Sequence, residues 1–149
     1  MTTHKRLIKA VEDDNTIEVK RLLENGADVN ARGGPSDTLL HLTCLYGRLE
    51  IARLLIEHGA DINARQTYGG KTPIDLACLY VEPNIVRLLF EAGADPNILD
   101  ERGFGPLDRA MVMKIGDPIR EEIIDLFRQH APELVMEAFC VMSYGDPAR

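Results

Sequence analysis

Apolar and polar positions keep one phase along most of this chain. Ile51, Leu54 and Leu55, and again Ile85, Leu88 and Leu89, fall at helical spacing. Each of these stretches ends at a glycine, Gly59 or Gly93, suited to the left-handed conformation that follows a helix C-terminus. Ahead of each lies a shorter apolar stretch, Leu40 to Leu45 and Ile74 to Leu79. It predicts a helix too short to be stable unless packed. Thr38 and Thr72 stand where these short helices begin, and Pro73 takes the first helical position, where its missing N–H costs nothing. The polar stretch from Asn63 to Lys71 predicts a turn between units. A helix-turn-helix unit of this kind cannot bury its apolar face alone, so the units must stack.

The units repeat literally. GADVN runs from Gly26 to Asn30, GADIN from Gly59 to Asn63 and GADPN from Gly93 to Asn97. Their glycines recur with a period of about 33 residues, within the range of repeat architectures. TLLHLTCLYG from Thr38 and TPIDLACLYV from Thr72 stand at one constant distance ahead of Gly59 and Gly93 respectively. A degenerate copy, GPLDRA, begins at Gly105, one further period after Thr72. Two motifs holding one phase in this way are the signature of a repeat array.

These residues resemble the ankyrin repeat, which pairs a TPLHLA-type inner helix with an outer helix ending in GADVN. The resemblance runs from about Lys5 to about His130 and is strongest in the middle two units. It implies an all-α ankyrin-repeat solenoid, with stacked helix-turn-helix units and hairpin fingers projecting from one edge. The division it predicts is one domain over 1–149: repeat 1 at about 1–31 as an N-terminal cap, repeat 2 at about 32–64 and repeat 3 at about 65–98. Repeat 4 and a C-terminal cap helix fill about 99–149. Repeat 1 keeps Leu7, Ala10, Val19, Leu22 and Leu23 but has lost the TPLH opening; repeat 4 carries extra residues around Lys114 to Pro118, with His130 and Ala131 where GAD would stand. Glu133 to Met142 reads as the added helix, with a frayed end at Ser143 to Arg149. Three local departures stand out: the long finger Arg65 to Lys71, Gly33 and Ser36 in the finger Arg32 to Asp37, and Val81 in place of the glycine between the two helices of repeat 3.

Composition narrows the function classes. With 45% apolar and 28% charged residues, the chain matches folded soluble proteins rather than disordered ones. No run of about 18 uncharged apolar residues could span a bilayer, and the first residues have no signal-peptide core. The three cysteines, Cys44, Cys78 and Cys140, are far apart with no CxxC pair, which argues against a disulfide framework or a zinc site and for a reducing, cytoplasmic setting. A formal net charge of −7 disfavours nucleic acid and anionic membranes and leaves room for a basic protein partner.

Residues that suggest chemistry have plainer readings. His41 lacks a second His or a Cys at metal spacing; the resemblance makes it a tie between adjacent turns, with Asp75 and Asp108 at its equivalents. Cys44 and Cys78 share one repeat position and read as small buried hydrophobes. GGKT at Gly69 to Thr72 suggests a phosphate loop, but no strand precedes it and the phase explains it as a finger. Asp28, Asp61 and Asp95 each belong to their own loop, where a short polar side chain satisfies backbone groups. No catalytic residue, metal ligand or cofactor site emerges, so the reading is a non-catalytic, monomeric binding module, an adaptor or steric inhibitor. A self-associating scaffold is the alternative, and an enzyme a weak third. The resemblance implies that a partner is gripped by finger tips and the exposed ends of inner helices. That maps onto Leu45, Tyr46, Leu79, Tyr80 and Met113, with Tyr68 and Phe104 on fingers and Arg32, Asp37, Arg65, Lys71 and Arg102 as a polar rim. The competing reading is that Tyr46 and Tyr80 only cover the adjacent helix turn. The resemblance further implies that Asn30 and Asn63 are sites for asparagine hydroxylation, in a host with the oxygenase.

Overall fold

The computed structural model describes residues 1–33 and 37–144. Among them lie nine helices and no strand beyond an isolated bridge between Arg32 and Thr38. They form four helix pairs and a last single helix. The inner helices are α1 (Thr3–Glu12), α3 (Leu39–Tyr46), α5 (Pro73–Leu79) and α7 (Pro106–Met111); the outer ones are α2 (Thr16–Glu24), α4 (Leu49–Glu57), α6 (Pro83–Glu91) and α8 (Pro118–His130). Helix α9 (Pro132–Tyr144) follows. Each inner helix packs on its outer partner and on the next inner helix, and each outer helix packs on the next outer one. The result is a two-row stack, the nearest-neighbour architecture the phase predicts.

Helix starts follow side-chain chemistry. The Asn15 side chain accepts from the Glu18 N–H at 3.0 Å, and Asp117 accepts from Ile119 at 2.9 Å. The Thr38 hydroxyl accepts from the His41 N–H at 3.4 Å, and the Thr72 N–H and hydroxyl both donate to the Asp75 carboxylate at 2.9 Å. Outer helices end where Gly26, Gly59 and Gly93 take left-handed backbones, with φ of 85°, 87° and 90°.

The core runs the length of the stack. Leu7, Leu39, Leu40, Ile51, Leu55, Ile74, Ile85, Leu89, Ile123 and Phe127 are fully buried in it. At its C-terminal end Phe90 meets Phe127 edge-on at 5.0 Å and stacks on His130 at 4.7 Å. Cys44 and Cys78 are buried free thiols, as packing residues should be; burial pushes Cys44 up to about 12 and Cys78 well above its ordinary value.

The structure refines three local expectations. Val81 adopts the left-handed backbone, φ 64°, that Gly47 adopts at the equivalent position, φ 67°, so the turn geometry is kept although the glycine is lost. Helix α9 does not fray at Ser143; it continues to Tyr144. Of the finger Arg32 to Asp37, residues 34–36, including Ser36, lie outside the described residues, as do 145–149. Gly33 closes the described part, donating its N–H to the Asp37 carbonyl at 2.6 Å.

Candidate functional site

The surface begins with the ties that hold successive fingers in register. His41 is buried, and its Nε2 donates to the Lys71 carbonyl at 3.0 Å, because a carbonyl can only accept. Its Nδ1 is then the acceptor for the Thr38 hydroxyl at 2.9 Å and the Thr38 N–H at 3.3 Å. Burial holds this imidazole below its ordinary pKa and so keeps it neutral. Gln66 on the second finger donates its amide N–H to the Asp37 carboxylate on the first. The Glu101 N–H on the third finger donates to the Gly69 carbonyl on the second at 3.0 Å. Three fingers are therefore joined edge to edge.

A second ladder runs along the GAD loops. The Asn30 side-chain oxygen accepts from the Asp61 N–H at 2.8 Å, and Asn63 accepts from the Asp95 N–H at 2.9 Å. Within each loop the aspartate accepts from the N–H two residues on, at 2.9 Å for Asp28, 3.1 Å for Asp61 and 2.9 Å for Asp95. These carboxylates are loop fasteners. Among the described residues no group of three or more His, Cys, Asp or Glu is placed to hold a metal ion.

On this frame the large apolar side chains stand outward. Tyr46 ends α3 and is 44% exposed; Tyr80, just past α5, is 46% exposed, and Leu79 beside it is exposed as well. Leu45 is half-buried and packs against the core. Tyr68, on the second finger, is 70% exposed. Phe104 is exposed on the third, with the Arg109 guanidinium 5.6 Å from its ring centre. That arginine also pairs with Asp100. Burial works to raise the Asp100 carboxyl, but the N–H groups of Phe104 and Arg102 and the Arg109 charge outweigh it and hold it below its ordinary value. The ring is thus fixed by a cation that is itself fixed.

The expected polar rim divides. Arg32, Arg65 and Arg102 are exposed, whereas Asp37 and Lys71 are half-buried and serve the finger ties. Met113 is half-buried too. Sequence reasoning passed over Val112, 82% exposed, and Ile115, 79% exposed, in the turn after α7. The signal for Val112 was present, since it lies one period after Leu79 and so holds the same place in its unit. Ile115 falls in the extra residues of that unit, where the phase gives no guidance.

The pattern described as "Ankyrin repeats (3 copies)" matches residues 7–100. That is more than half of the chain. The chain belongs to the ankyrin-repeat family. The match ends at Asp100, and the fourth helix pair, α7 with α8, continues the ankyrin stack beyond it. No curated protein matches the chain. Ankyrin repeats generally mediate contact between proteins, and no helix among the described residues is long and apolar enough to cross a membrane.

Proposed function

We propose that this ankyrin array is a non-catalytic binding module, an adaptor or steric inhibitor, that grips a protein partner along the inner-helix ends and fingers. The observation that carries the reading is the row of outward apolar side chains, Tyr46, Leu79 and Tyr80, continued by Tyr68 and Phe104 on fingers tied to one another. A rigid aromatic with a polar tip gives a large contact area at small entropic cost, and arginines such as Arg32, Arg65 and Arg102 suit the edge of such a patch. The net charge of −7 favours a basic partner. Buried thiols at Cys44 and Cys78 are in keeping with a reducing, cytoplasmic setting, and the module acts as a monomer.

The test is the double substitution Tyr46→Ala and Tyr80→Ala, with binding to a partner co-purified from source cells. Both rings are exposed, so the fold should persist while affinity falls by about 2 kcal/mol or more if they are hot spots. A folded double variant that binds as tightly as the parent, with binding abolished instead by substitutions at Glu50, Arg53 or Arg87, would move the interface to the outer helices.

A further inference from the structure

The last helix sits where a fifth inner helix would, but it does not pack as one. α3, α5 and α7 each rest on the inner helix before them; α9 rests on α8 instead and splays from α7 across a groove. Between α9, α7 and the loop after Gly93 the splay leaves an open groove of about 580 Å³. Leu99, Leu107 and Met111 form one wall, and Leu134, Ala138 and Val141 the other. Among the residues of α9 whose side chains are described, Val135 is the one deeply buried; Met136, Phe139, Val141 and Met142 are exposed. A terminal unit of a repeat array is ordinarily polar on its outer side, and a helix apolar on all sides is ordinarily covered.

Charge selects the occupant. The groove carries two carboxylate side chains, Asp108 and Glu137, and among the described residues no Lys, Arg or His lines it. Asp108 accepts from the Gly105 N–H at 2.6 Å, while Glu137 is exposed. A fatty acyl chain would bring another carboxylate to this rim. A second copy would bring its own Glu133 and Glu137, and Pro132–Tyr144 contains no cation to meet them. From this charge pattern we infer that the groove seats a cationic amphipathic helix supplied by a partner protein. Its apolar stripe enters the groove and its Lys or Arg residues meet Glu137 and Asp108, a helix-in-groove mode to which the adaptable Met111 and Met142 side chains are suited. This surface takes in Met111 at the end of α7 but none of Tyr46, Leu79 and Tyr80, and does not depend on them.

The probe is a synthetic Leu/Lys peptide of about 18 residues, roughly five helical turns, with Leu at i, i+3, i+4 and i+7. It is titrated into the full chain at about 0.15 M salt, where long-range attraction is screened. Saturable binding of one peptide per chain is expected, with a scrambled peptide of the same composition weaker by about tenfold or more. Glu137→Lys, an exposed change that leaves packing intact, and Ala138→Trp, which fills the groove, should each weaken binding by about tenfold. The pair Tyr46→Ala and Tyr80→Ala should leave it unchanged, which separates this surface from the one proposed above. Equal binding of the scrambled peptide, or parental affinity in both groove variants, overturns the inference. So does sedimentation showing a dimer that Ala138→Trp dissociates, because the occupant would then be a second copy.

Discussion

Replacing His41 with alanine tests the inter-repeat tie directly. The imidazole is fully buried, bridging the Thr38 N–H and hydroxyl on one side and the Lys71 carbonyl on the other. Removal strands two donors and an acceptor at about 1–3 kcal/mol each when they stay dry, and leaves a void the size of the ring. The Lys71 carbonyl is only partly buried, so its share lies at the low end, and about 3 kcal/mol in total is expected. With a urea m-value of about 2 kcal/mol per molar, typical of a small domain, the midpoint should fall by about 1.5 M. The same experiment across pH adds a second readout. Burial lowers the folded-state pKa of His41 below its ordinary value of 6.5, so the unfolded chain binds the proton more readily. The stability held by the neutral ring is complete above about pH 6.5 and is lost as pH falls through that value toward the folded-state pKa. The difference between parent and variant should therefore shrink on acidification. The Asp75 carboxyl, shifted upward by burial, titrates in both proteins and drops out of that difference. A midpoint loss worth less than about 1 kcal/mol at pH 7.5, or a difference independent of pH, would refute the tie.

Other outcomes follow from single positions. Val81 holds a left-handed backbone that costs a β-branched residue about 1–3 kcal/mol. Val81→Asn, which tolerates that backbone, should gain about 1 kcal/mol net of lost packing, raising the melting temperature by about 2–4 °C; a lower melting temperature would show that the packing of Val81 matters more. Leu55 is fully buried in α4, and Leu55→Asp should cost about 3 kcal/mol or more by burying an unpaired charge. A circular-dichroism melt like the parent's would contradict the stacked core. Asn30 and Asn63, proposed as hydroxylation sites, should each gain the mass of one oxygen in cells holding the oxygenase; unmodified intact mass from the native host removes that proposal.

The fold was legible because its signals are local and periodic. Thr38, Thr72 and Pro73 mark helix starts, the GAD glycines mark helix ends, and the constant phase places every inner helix beside the next. The candidate site was legible only in part. Phase located Tyr46 and Tyr80, but it carries no information on side-chain partners, so nothing in the sequence set Asp37 against Gln66. The splay of α9 was beyond reach for a related reason. Glu133 to Met142 reads as a helix from its own residues, but whether it rests on α7 or α8 depends on packing between units that do not repeat.

The stitching between units is uneven. His41 joins repeat 2 to repeat 3, but its counterpart Asp75 has one buried oxygen with no hydrogen-bond partner. A carboxylate there cannot donate to the next carbonyl as the imidazole does. In an array whose cohesion is a sum of neighbour terms, the seam between repeats 3 and 4 does without this tie and is held by the packing of α5 on α7 and α6 on α8 and by the Glu101–Gly69 finger bond. Amide exchange in α7 and α8 should therefore be indifferent to His41→Ala, whereas exchange in α3 and α5 should speed up.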